Sequence, residues 1–253
     1  MINFEERGWV GIATIDRPER RNALNHEVCD KLRGWLEFHP HLRAVVITGA
    51  GTTFCSGADL VTRFTADEGE STDTFRPALE RLLDAITDYP SPVIAAINGP
   101  AIGAGMQLAV GCDLRIASLG ARLSIPAGRL GIHLSGANIW RLASLVGQGM
   151  ARDFLLTGRS VTAEEALDCG LVERLAVDAF AEVLVVAGEV AALAPLTVRG
   201  HKRALNLIAQ GTWPVKRSRD AIARLEAAAF ASDDLQEGLT AFEQKRNPDF
   251  HGK

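Results

Sequence analysis

The chain has 253 residues, 47% of them hydrophobic and only 6% aromatic, and a net charge of −4. That is enough for one large domain around an aliphatic, alanine-rich core. The acidic balance and the lack of a basic tract argue against nucleic acid as a partner. No apolar run approaches the roughly 20 residues of a transmembrane segment, and no charged-then-apolar segment of the signal type opens the sequence. Cys29, Cys55, Cys112 and Cys169 stand far apart without metal-type pairing. They read as reduced thiols of a cytoplasmic protein with no metal site.

In chain order, residues 8–16 alternate as a strand, and Asn25 is a good N-cap for a helix running through Phe38. Residues 43–48 read as a buried strand and lead into a turn of small residues, Gly51-Thr-Thr-Phe-Cys-Ser-Gly-Ala-Asp-Leu60. Residues 61–74 are polar and acidic with no apolar period, a segment suited to a lid. A helix at about 76–88 precedes a strand at 92–97, a glycine-rich turn, and a helix opening at about Ala104. Short strands follow at 112–117 and 123–125. After Gly136 the character changes: residues 138–146, 149–156, 162–168, 178–193, 195–210, 214–230 and 234–245 read as helices. Thr162 and Glu165 form a capping box at one of them. This order predicts a layered α/β core over residues 1–195 and a helical C-terminal subdomain over 196–253.

Two strand-end turns carry the chemistry. At the turn before Ala104 the first N–H groups of the helix lack internal partners, and the helix dipole adds positive potential. The turn around Ala58 offers a second backbone donor. Together they suit an oxyanion, such as an enolate formed from a thioester.

Arg17-Pro-Glu-Arg-Arg-Asn-Ala-Leu-Asn25, Phe54-Cys-Ser-Gly-Ala-Asp-Leu60 and Asn98-Gly-Pro-Ala-Ile-Gly-Ala-Gly105 resemble segments of the enoyl-CoA hydratase/isomerase (crotonase) superfamily. Residues 141–147, 155–172 and 242–250 fit the same pattern, so the resemblance is collinear along essentially the whole chain. It implies a crotonase-like spiral of β-β-α units with a helical C-terminal subdomain that makes contacts in a homotrimer or a hexamer. It also implies an oxyanion hole formed by the N–H groups of Ala58 and Ala104.

In the family, two glutamates carry the proton traffic of hydration. This sequence has Gln107 and Ala127 at those positions. An amide cannot exchange a proton near neutrality, and each lost acid or base is typically worth roughly 10²–10⁴-fold. Asp67, Glu68 and Glu70 are stand-in acids only if the 61–74 segment reaches the pocket. His133 is a candidate base in the loop after Gly131. Asn138 and Trp140 open the following helix, Trp140 as pocket wall or core; Asp59 and Asp113 are explained by holding loops.

For coenzyme A, which enters as part of the ligand and not as a cofactor, the resemblance points to Arg20, Ala23 and Leu24, and to Ser56, Asp59, Leu60 and Val61 along a groove. Phe242 and Lys245 are assigned by the resemblance to a neighbouring subunit's ligand, Lys245 at a phosphate. The expected function is binding of fatty acyl-CoA in lipid metabolism, with hydration weak or absent. The alternative is an active enoyl-CoA hydratase or isomerase that uses other acids.

Overall fold

The computed structural model describes residues 1–59, 74–212 and 215–253. Leu60, Val61 and the acids Asp67, Glu68 and Glu70 of the expected lid lie outside the described residues.

A six-stranded sheet has the order β1-β2-β3-β4-β6-β9, formed by β1 (Ile2–Arg7), β2 (Val10–Ile15), β3 (Ala44–Gly49), β4 (Val93–Ile97), β6 (Leu114–Ser118) and β9 (Arg174–Ala176). From β2 to β9 its neighbours pair in parallel. Every residue of β3 and β4 is buried, as expected of parallel strands covered on both faces. Their alternate side chains feed two cores. Val45, Ile47, Ala95 and Ile97 meet the helices α1 (His26–Phe38), α2 (Phe75–Asp88) and α3 (Ala104–Gly111). Ala44, Val46, Ile94 and Ala96 pack against Val183, Val186 and Ala187 of α6 (Ala179–Ala191).

A second, three-stranded sheet runs β5-β7-β8, made of β5 (Ala101–Ile102), β7 (Arg122–Ser124) and β8 (Ser160–Thr162). The β-β-α units bridge the two sheets. In β4-β5-α3 and in β6-β7-α4, where α4 is Gly136–Thr157, the first strand joins the large sheet and the second joins the small one. The chain thus spirals between two sheets; β5 runs almost directly into α3, whereas a loop and a 3₁₀ turn at Ala127–Leu130 separate β7 from α4. This agrees with the fold class read from the sequence.

Residues 8–16, expected as one strand, are the second arm of a hairpin. β1 precedes it and pairs antiparallel with β2 from Ile2↔Ile15 to Arg7↔Val10, across a turn at Gly8 with φ +60°. Five of the six β1 residues are exposed, so the strand has no alternation to read; Phe4 stacks on Trp35 of α1 at 4.8 Å, and Glu6 lies 3.3 Å from His39 at the end of that helix.

The caps hold. Asn25 Oδ1 accepts from Val28 N at 3.0 Å, and Thr162 and Glu165 form the reciprocal box at α5 (Ala163–Asp168). The helices expected at 138–146 and 149–156 are the two halves of α4, which meet at a kink where Gly147 leaves helical geometry with φ +75° and ψ 163°.

The C-terminal helices are α7 (Pro195–Ala209), α8 (Lys216–Phe230) and α9 (Asp233–Gln244). α7 opens one residue before the expected boundary and is bolted to the core by polar side chains. Lys202 Nζ donates to Ile86 O and Ser91 O at 3.0 Å each and pairs with Asp113 Oδ2 at 2.7 Å. Arg43 Nη2 donates to Phe250 O at 2.7 Å, tying the last residues back to the sheet.

Candidate active site

The site forms where the turn after β3 meets the turn between β5 and α3. Single β-bridges, Leu24↔Ala58 and Cys55↔Ala101, extend the small sheet sideways through both turns. Cys55 N donates to Pro100 O at 3.1 Å and Ile102 N to Cys55 O at 2.9 Å. Such close packing of backbones requires glycine. A Cβ on Gly57, where φ is +111°, would sit 3.0 Å from Ile102 O and 3.7 Å from Ala104 N. One on Gly105 would strike Cys55 Cβ at 2.7 Å. Gly103, at φ +57° and ψ −114°, makes the sharp entry that leaves the Ala104 N–H at the head of α3.

Among the described residues, neither Ala58 N nor Ala104 N has an acceptor. Both residues line a cavity of about 140 Å³, which also meets Gln107, Ala127, His133 and Asn138. A larger, mostly apolar cavity of about 800 Å³ adjoins it. The two share Ala127, Ile132, His133 and Leu134, and the larger one runs past Ile139, Trp140 and Leu155. Both are lined mainly by apolar surface, and the backbone donors stand in the smaller one.

One carboxylate in the small cavity was not singled out in the sequence. Glu80, on α2, accepts through Oε1 from Ser135 Oγ at 2.7 Å and from Asn138 Nδ2 at 2.8 Å. Asn138 Nδ2 also donates to Gln107 Oε1 at 2.7 Å, and Asn138 Oδ1 accepts from Arg141 Nη1 at 2.9 Å. Arg141 pairs with Glu80 at 3.6 Å and with Asp84 at 2.6 Å. Thus α2, α3 and α4 are linked by one polar chain behind the cavity. Glu80 escapes sequence reading because a glutamate on an amphipathic helix is usually solvated. The available signal was its place beside the inward stripe of Ala78, Leu79, Leu82 and Leu83.

The other expected site residues fall as follows. His133 is exposed and lines both cavities, and Trp140 is part of the apolar wall. Ser56 lines the small cavity, and its Oγ donates to Arg20 O at 3.1 Å. Arg20 itself is exposed, whereas Ala23 and Leu24 are buried. Asp59 is turned inward with its side chain only 3% exposed, paired with Arg17 Nη2 at 2.7 Å; it joins the two loops. Asp113 likewise holds structure, accepting from Val93 N at 2.7 Å as well as from Lys202. Burial pushes its carboxyl up while Lys202 pulls it down, and burial is the larger influence. Phe242 and Lys245 are exposed at the end of α9, which lends no residue to either cavity. Buried Cys55, between the two turns, has its thiol pushed up to about 12 by desolvation and serves as packing.

The sequence model of the enoyl-CoA hydratase/isomerase family matches residues 5–253. The chain belongs to the enoyl-CoA hydratase/isomerase family. A Mycobacterium leprae protein named "Probable enoyl-CoA hydratase echA6" is 41% identical over the full length of both chains. The short-chain-enoyl-CoA hydratase of Clostridium acetobutylicum is 34% identical, covering 97% of this chain and 95% of its own. Among solved structures, an enoyl-CoA hydratase from Bacillus anthracis superimposes with a TM-score of 0.92 at 30% identity, covering 100% of this chain and 99% of the other. In this chain the small cavity presents the amide of Gln107 and the methyl group of Ala127.

Proposed function

We propose that this family member binds fatty acyl-CoA thioesters in lipid metabolism and adds water to them weakly or not at all. The thioester oxygen sits between the N–H groups of Ala58 and Ala104, and the acyl chain extends into the apolar cavity. Coenzyme A runs past Arg20, Ala23, Leu24, Ser56, Asp59, Leu60 and Val61. The observation that carries this reading is the pairing of two backbone donors without acceptors with an amide, Gln107, held in place by Asn138. Such a site polarises a carbonyl but has no acid at position 107 or 127 to move protons.

Replacing Ala104 with proline tests it. Proline is tolerated at the first position of a helix and removes one donor. Long-chain acyl-CoA is expected to bind roughly tenfold more weakly, as for loss of one buried hydrogen bond. Unchanged affinity in a folded variant, read by titration calorimetry, removes the oxyanion hole from the reading.

A second reading, an active hydratase or isomerase using other acids, is favoured by Glu80, a carboxylate in the same cavity, and by the relatives' names. Glu80→Gln separates the two: loss of turnover with binding retained supports the enzyme.

The assembly proposed is a homotrimer or hexamer built on the C-terminal helices over 196–253. Leu205, Ile208, Phe230, Leu239 and Phe242 are each at least half exposed there, a large apolar area for helices packed on one side only. In that assembly Phe242 and Lys245 reach a neighbouring subunit's ligand. Light scattering is expected to give three or six times the chain mass; a stable monomer at micromolar concentration removes both the assembly and that role. The four cysteines are free and three are buried, which suits the reducing cytoplasm.

A further inference from the structure

Resting on the acyl-CoA reading above, we propose that Gln107 makes this site selective for 3-oxoacyl thioesters, by offering an N–H donor to the oxygen on C3. The hydrogen bonds behind the cavity have a fixed direction. Arg141 can only donate and the Glu80 carboxylate can only accept. Asn138 lies between them: its Oδ1 accepts from Arg141 Nη1 at 2.9 Å and its Nδ2 donates to Glu80 Oε1 at 2.8 Å. Two charged groups therefore fix which way the Asn138 amide faces. The same nitrogen donates to Gln107 at 2.7 Å, so Gln107 must accept with Oε1. Its Nε2 is left over. Among the described residues that nitrogen has no acceptor, and it is not among the sealed, unpartnered side-chain atoms, of which Arg33 Nε is the sole case. It is accessible and has donors to offer.

Ala104 and Gln107 are three residues apart on α3, hence on one face of the helix, and both line the small cavity. A thioester oxygen held at Ala104 N sets the acyl carbons next to it beside the Gln107 side chain. An unsubstituted chain presents only C–H groups there and leaves the amide unpaired in a dehydrated site. A 3-oxo group presents an acceptor at the carbon after next and pairs it. A site of this kind discriminates through the cost of the unmet hydrogen bond. A glutamate at this position would instead offer an acceptor, suited to a water or a hydroxyl. The amide inverts that preference, and the link from Glu80 and Arg141 through Asn138 keeps the inversion fixed.

The test compares matched pairs by titration calorimetry on the full-length protein: acetoacetyl-CoA with butyryl-CoA, and 3-oxopalmitoyl-CoA with palmitoyl-CoA. The 3-oxo member is expected to bind roughly tenfold more tightly within a pair that fits the cavity. In Gln107→Leu the ratio should fall to about one. In the double variant Asn138→Asp with Glu80→Gln the lock is reversed, because the new carboxylate, facing an amide in place of the Glu80 carboxylate, accepts from Gln107 Nε2 and turns its oxygen outward. The ratio should collapse there too, although Gln107 is still present, an outcome a merely structural role for Asn138 does not produce. Melting curves identify variants that fail to fold, and either variant alone suffices. Equal affinities within both pairs for the unaltered protein overturn the selectivity and leave the acyl-CoA reading standing. Failure of all four thioesters to bind overturns both. A ratio that survives Gln107→Leu shows that some other group reads C3 and removes Gln107 from the role.

Discussion

Crotonyl-CoA hydration by the unaltered protein is expected to run at least about 10⁴-fold below that of a family member with both glutamates. Gln107 is close to glutamate in size, but its amide neither accepts nor returns a proton, and Asn138 holds its oxygen at 2.7 Å. Ala127 opens a short 3₁₀ turn at the cavity wall and has only a methyl group to offer. With Gln107→Glu and Ala127→Glu together, hydration should rise by orders of magnitude, because the two backbone donors are already in place. Either change alone should do little, since acid and base act as a unit. The loss of the enoyl absorbance reads the rate directly. Robust hydration by the unaltered protein would mean that Glu80, His133 or the acids of residues 61–74 carry the protons, and the binding reading would then give way to the enzyme.

The second large effect concerns stability. Lys202→Met should cost about 3–5 kcal/mol, measured as a lower urea midpoint with an unchanged slope. The Lys202 side chain is 6% exposed, and its ammonium satisfies Ile86 O, Ser91 O and Asp113 Oδ2 at once. Methionine keeps the packing but leaves a partly buried carboxylate and two carbonyls without their donor. Asp113→Asn added to Lys202→Met should recover part of the loss, because removing both charges costs less than stranding one. A loss below about 1 kcal/mol would show that water replaces the ammonium. The effect extends toward the site, since Asp113 also anchors Val93 N at the start of β4, the strand that delivers Ala104.

Those two results depend on different kinds of information. The sequence by itself determined the strand-end turns and the caps at Asn25 and Thr162. Each is a local matter. A glycine that a tight turn requires, or a side-chain oxygen three residues before the amide it caps, is decided within a few positions of the chain. The central strands were legible for a similar reason, since burial on both faces writes an unbroken apolar run. The edge strand β1 was not, because its exposed side chains carry no period and its order comes from pairing with β2.

Only the tertiary structure decided what surrounds Gln107. Glu80 and Asn138 are 58 positions apart, and Asn138 and Gln107 are 31. Nothing in the local sequence of any of them marks the contact, which exists because α2, α3 and α4 pack side by side behind the cavity. The burial of Lys202, a residue type ordinarily solvated, has the same origin in α7 closing over Asp113, 89 positions away. Local sequence fixed which turns and caps this protein has; long-range pairing of the Cys55 and Ala101 turns, and the packing of α2, α3 and α4, fixed how the backbone donors and the side chains facing them come together.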